Sequence, residues 1–138
     1  MSLKSNLPSS LQGVDPGIRM VDSSLIGVAA GMSNINANPA LTAGTTQTQA
    51  GGTKLFTGLN AVKTANGSDA VTMPSAGSGS FLVLANHSGQ TILLYPAKGD
   101  AINAAGADAS VSVATATTSV YMCSTTGQWW GGAITNES

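Results

Sequence analysis

An all-β fold is what this sequence predicts: a small antiparallel β-sandwich or barrel over residues 45–138, preceded by an extended N-terminal arm over residues 1–44. Three observations lead there. From about Thr45 to Gly132, short apolar runs recur with turn signals between them, at the spacing of about 8–12 residues that marks sandwiches and barrels. Residues 1–44 are instead punctuated by Pro8, Gly13, Pro16, Gly17, Gly27, Gly31 and Pro39, which interrupt any long helix or strand. Charged residues make up only 8% of the chain, against about a quarter in ordinary soluble domains.

The arm carries spaced apolar anchors despite its breakers: Leu7, Leu11, Ile18, Val21, Leu25 and Ile26. Linkers that stay disordered lack such residues, and a structureless loop of this length is uncommon inside a compact domain. The segment therefore reads as an arm that gains order by docking on another surface. The alternative is a short helix and coil packed on its own domain, with Asp22 as the helix cap.

The β-region begins after Gly51-Gly52. Leu55 to Lys63 alternates weakly, Asn66-Gly67 is a tight-turn pair, and Ala70–Met73 ends at Pro74, which cannot donate into a central ladder. Phe81–Ala85 is a continuous apolar run, short enough for a strand buried on both sides. A turn at His87–Gly89 then sends Gln90–Tyr95 back beside it as a hairpin. Pro96 closes that strand and Lys98–Asp100 turns again. Val111 and Val113 share one face of the next strand. In Thr118–Cys123, Val120 and Met122 oppose Tyr121 and Cys123. Gln128–Trp130 forms the last strand, and its adjacent tryptophans point to opposite faces.

The composition points away from chemistry and towards assembly. Five basic and six acidic residues give a net charge of −1, scattered singly, so the basic footprint of a nucleic-acid partner is missing. The longest apolar stretch, Leu25–Met32, is far below the roughly 20 residues that span a bilayer, and the first residues do not have the order of a secretory signal. Synthesis in the cytoplasm without a membrane partner is the expectation. His87 sits in a turn without a second ligand at metal-binding spacing, and Asp100 and Asp108 lack the acidic neighbours of a calcium loop or a hydrolytic pair. No cofactor, metal or catalytic residue is predicted. Cys123 reads as a small buried hydrophobe, the alternative being an intermolecular disulfide or reactive thiol. The core or interface candidates are Phe81, Val83, Ile92, Leu94, Tyr95, Ile102, Trp129 and Trp130. Apolar residues on more than one face of Phe81–Ala85 and Ile92–Tyr95 would leave a patch that a monomer does not tolerate, so self-association is expected. Stacking of Trp129 or Trp130 on sugar is the alternative role for those rings.

Two stretches carry a resemblance. One is Phe81–Asn103, with its Asn-His-Ser turn, Leu-Leu-Tyr-Pro strand end and Gly-Asp-Ala-Ile-Asn. The other is Ala109–Ala114, followed by a strand and Gly127-Gln-Trp-Trp130. Together they resemble the β-module of tailed-bacteriophage virion proteins of the head-decoration, cement and head-fibre kind. The similarity covers roughly residues 45–132, about two-thirds of the chain, and departs from the pattern at Trp130, where tyrosine is commoner. It implies a capsid decoration or cement protein, a homotrimer on the outer surface of the virion capsid. There it would bind the major capsid protein through residues 1–44 and stabilise the head. The alternative it implies is a head-fibre or tail-fibre module that binds a receptor or glycan.

Overall fold

The computed structural model describes residues 35–134. Every regular element among them is a strand: β1 (Ala37–Thr42), β2 (Thr53–Lys54), β3 (Gly58–Thr64), β4 (Ala70–Thr72), β5 (Phe81–Asn86), β6 (Ile92–Tyr95), β7 (Ala101–Ile102), β8 (Val111–Val113), β9 (Thr117–Thr125) and β10 (Gln128–Ala133). They form a six-stranded sheet in the order β1-β3-β5-β9-β10-β7 and a four-stranded sheet in the order β2-β4-β6-β8.

The chain alternates between the two sheets. Strands β1, β3 and β5 lie side by side in the large sheet, and β2, β4 and β6 in the small one, and all four of these neighbouring pairs are parallel. Each circuit thus stacks on the one before, as in a solenoid. Among strand pairs, antiparallel pairing appears only at the far end, where β8 joins β6 and β9 joins β5. Strand β10 turns back on β9 and runs parallel to β7. The all-β expectation holds, whereas the antiparallel sandwich or barrel gives way to this two-sheet, solenoid-like stack.

The predicted hairpin between Phe81–Ala85 and Gln90–Tyr95 is the clearest difference. The turn at 87–91 is a corner that passes the chain from the large sheet to the small one. Asn86, fully buried, holds it: its Nδ2 donates to the carbonyls of Gln90 at 2.7 Å and Val113 at 3.0 Å, and its Oδ1 accepts from Ser88. Asn60 does the same at the β2–β3 corner, donating to the Phe56 carbonyl at 2.8 Å and accepting from the Phe56 N–H. Satisfying these buried amides locally is what allows polar groups inside the stack. The corner positions recur in sequence: Gly67 and Gly89, Pro74 and Pro96, and Gly77 and Gly99 each lie 22 residues apart.

Two further expectations change. Phe81–Ala85 is not buried on both sides, because Leu82 and Leu84 point inward while Phe81 is exposed and Val83 and Ala85 are half-buried. Strand β1 lies within the range expected for the arm, yet pairs with β3, and the compact unit starts at Asn36. The arm candidates Leu7, Leu11, Ile18, Val21, Leu25 and Ile26 lie outside the described residues.

The core fills the layer between the sheets. Leu82 and Leu84 from the large sheet meet Ile92 and Leu94 from the small one, and Ile102 and Trp129 complete it at the antiparallel end. There, Asn103 clamps β10: its Nδ2 donates to the Gly131 carbonyl at 2.8 Å and its Oδ1 accepts from the Gly131 N–H at 3.0 Å. Gly131 has φ 152°, and a Cβ there would collide with the Val120 carbonyl oxygen on β9. Gly131→Ala is therefore expected to lower stability by about 1–3 kcal/mol from backbone strain alone, read as a reduced midpoint in urea unfolding.

Asp108 ties two loops together. Its Oδ1 accepts from the Gly99 N–H at 2.7 Å and from Gln49 Nε2 at 2.9 Å. The Gly99 hydrogen bond first, and that of Gln49 second, hold its carboxyl below the ordinary value of 3.8. The folded state thus favours the carboxylate, so this contribution is complete above pH 3.8 and is lost as pH falls through the lower folded value. Asp108→Asn keeps the acceptor oxygen without the titration. Its unfolding midpoint is expected to fall less steeply than that of the wild type as pH drops below 3.8.

Candidate interaction surface

Because strand residues alternate between faces, the inward set of each sheet dictates what its outer face presents. The two outer faces differ sharply. On the small sheet the chain covers its own surface: residues 47–49, in the loop between β1 and β2, fold over β4 and β6. Thr72 Oγ1 donates to the Gln49 carbonyl at 2.6 Å, Tyr95 Oη to the Gln47 carbonyl at 3.2 Å, and Gln49 Nε2 to the Pro96 carbonyl at 2.8 Å. Thr72 is buried as a result. The polar residues of this loop have a use the sequence did not announce.

The large sheet has no such strap among the described residues. Its strand register aligns the outward residues in rows. Phe81, Met122 and Trp130 stand side by side on β5, β9 and β10, and Leu59, Val83, Val120 and Gly132 form the next row, from β3 to β10. Met122 is 61% exposed, Trp130 50%, Leu59 45% and Phe81 39%. Two shallow depressions lie on this face. One, of about 510 Å³, is lined by Phe81, Met122 and Trp130 with Ser80 and Ser124. The other, of about 300 Å³, is lined by Pro39, Leu59, Ala61, Val83 and Ala85. Lys63, at the end of β3, is the one charged side chain in the outward positions of these strands. Scattered apolar residues are ordinary on a surface, but a contiguous patch marks an interaction site.

The eight core or interface candidates divide accordingly. Ile92, Leu94, Ile102 and Trp129 are fully buried. Tyr95 is half-buried beneath the strap on the small sheet, and its hydroxyl donates to the Gln47 carbonyl. Phe81, Val83 and Trp130 stand on the outer face of the large sheet. Trp129 and Trp130 do point to opposite sides. Leu59 and Met122 belong to the same surface and were not singled out. The alternation in β9 places Met122 opposite Tyr121 and Cys123, but only the position of the second sheet tells which side is outside.

The groups considered for chemistry are dispersed. His87 is exposed at its corner, Asp108 holds Gly99 and Gln49, and Asp100 Oδ2 accepts from the Ala76 N–H at 2.7 Å. Among the described residues, no three His, Cys, Asp or Glu side chains gather as metal ligands, and no helix is long and apolar enough to cross a membrane. Compared with known protein families, characterised proteins and solved structures, the chain matches none.

Cys123 is 3% exposed, and its Sγ donates to the Thr125 carbonyl at 3.1 Å. A thiol so enclosed reacts slowly. The native protein is expected to resist a bulky thiol reagent and to be labelled at one equivalent per chain only after denaturation, as mass spectrometry would show.

Proposed function

We propose that this protein is a structural component of a tailed-bacteriophage virion, a decoration or cement protein that binds the outer capsid surface as a homotrimer and stabilises the head. The apolar outer face of the large sheet, without a covering strap among the described residues, is the observation that carries the assembling role. A protein that straps one sheet face with its own loop and leaves the other apolar is built to be covered by protein. The virion setting is supported by the resemblance of Phe81–Asn103 and Ala109–Trp130 to the phage β-module. Several resemblance residues have evident structural uses, including Asn103 clamping Gly131 and Asp100 holding Ala76.

The stabilising action follows from mass action. A protein that binds assembled shell and not free subunits shifts the equilibrium to the shell, and three linked copies multiply a weak contact through effective concentration. In this reading residues 1–34 make the contact with the major capsid protein and the β-unit forms the trimer. The exposed pair Phe81 and Trp130 favours a second reading, a head-fibre or tail-fibre module that stacks a sugar ring. The depression between them contributes only the hydroxyls of Ser80 and Ser124 to hydrogen bonding from side chains, a poor match to a polyhydroxylated ligand, so assembly is the better reading.

The test is co-sedimentation with shells built from the major capsid protein of the same genome. The full chain is expected to pellet with the shells and to raise their dissociation temperature. A chain lacking residues 1–34 is expected to keep its β circular dichroism and stay in the supernatant. Failure of the full chain to pellet, together with a positive signal on a glycan array, would replace the capsid reading with the fibre one.

A further inference from the structure

We propose that the outer face of the six-stranded sheet is where copies of this chain meet, with Met122 and Trp130 of one copy packed on the same sheet face of another. The inference rests on the trimer of the reading above and not on a virion location.

The edges of the sheets leave little alternative. Edge strands invite pairing with another copy unless they are short, irregular or interrupted. Strand β1, one edge of the large sheet, contains Pro39 and has breaks in its register with β3. The other edge, β7, has two residues, and the small sheet ends in β2 of two residues and β8 of three. Copies of this chain are thus discouraged from meeting edge to edge. On the small sheet, residues 47–49 already lie over β4 and β6.

The face itself suits another copy. Five gaps of about 4.8 Å between strands, and about five residues of about 3.3 Å along each, give a projected area of ~400 Å². Side chains standing on it raise the accessible area towards the lower end of the ~600–1,000 Å² per partner of specific interfaces. With Lys63 confined to the end of β3, two such faces close without burying an unpaired charge. The net charge of −1 also leaves little repulsion between copies. The relief is uneven: Met122 and Trp130, 61% and 50% exposed, wall the larger depression at one side of the face, while Gly132 beside them and the second depression over Leu59, Ala61 and Val83 leave open space. Exposed apolar side chains and open space on one surface allow it to be self-complementary.

The experiment is sedimentation of the full chain across the micromolar range, for the wild type, for Met122→Lys/Trp130→Lys and for Ser112→Lys. Ser112 is exposed on β8 of the other sheet, so its variant adds charge away from the face. The expected result is an oligomeric wild type and Ser112→Lys protein, and a folded, monomeric double variant. A double variant that stays oligomeric overturns the inference while leaving the trimer standing. A monomeric wild type removes both. If the double variant does not fold, Trp129→Phe leaves Trp130 as the only tryptophan. Its quenching by acrylamide should fall several-fold as the oligomer forms, and unchanged quenching through assembly overturns the inference.

Discussion

A single apolar layer, filled from both sides at once, is the constraint on which this structure depends. The chain contributes one strand to each sheet in turn, so every corner must carry it across the layer without stranding a polar group inside. Asn60 and Asn86 solve this by folding their amides back onto nearby carbonyls and N–H groups, and Asp69 and Asp100 do so by accepting backbone N–H groups. With corners satisfied in this way, successive circuits stack in parallel. The same logic explains the antiparallel end, where β9 and β10 fold back to finish both the ladder and the core.

Alternation then divides the molecule's surface by default. A strand that buries Leu82 and Leu84 must present Phe81, Val83 and Ala85 on its other side, and one that buries Tyr121 and Cys123 must present Val120 and Met122. In most sheets the outward set is polar. Here it is apolar on the large sheet and is covered on the small one by Gln47 and Gln49. The scarcity of charge in the composition is therefore spatially organised. The chain's polar loop lies over one face, while the other presents apolar side chains and little charge.

The corner chemistry also accounts for residues that catalytic reasoning would weigh first. Asp108 and Asp100 are carboxylates in loops, but each spends one oxygen on the backbone N–H of a neighbouring turn, and Asp108 uses the same oxygen to hold Gln49 Nε2. Asn103 spends its amide on Gly131. Residues of this kind are conspicuous in a sequence so poor in polar function, and their work is to hold turns at fixed geometry.

By itself the sequence determined the β character of residues 45–132, the positions of most strands and the alternation within several of them. These follow from local periodicity and turn residues. It also separated Trp129 from Trp130 and placed Ile92, Leu94 and Ile102 among the core or interface candidates. Only the tertiary structure decided that Gln90–Tyr95 crosses to the other sheet instead of pairing with Phe81–Ala85. A period of two reads the same in parallel and antiparallel ladders, and the true partners lie 17 to 41 residues away. The 22-residue recurrence of Gly67, Pro74 and Gly77 in Gly89, Pro96 and Gly99 was the signal that could have shown it. Which face of β5 and β9 is bare was equally out of reach. Alternation separates Met122 from Cys123, but only the placement of the second sheet makes one of them inside.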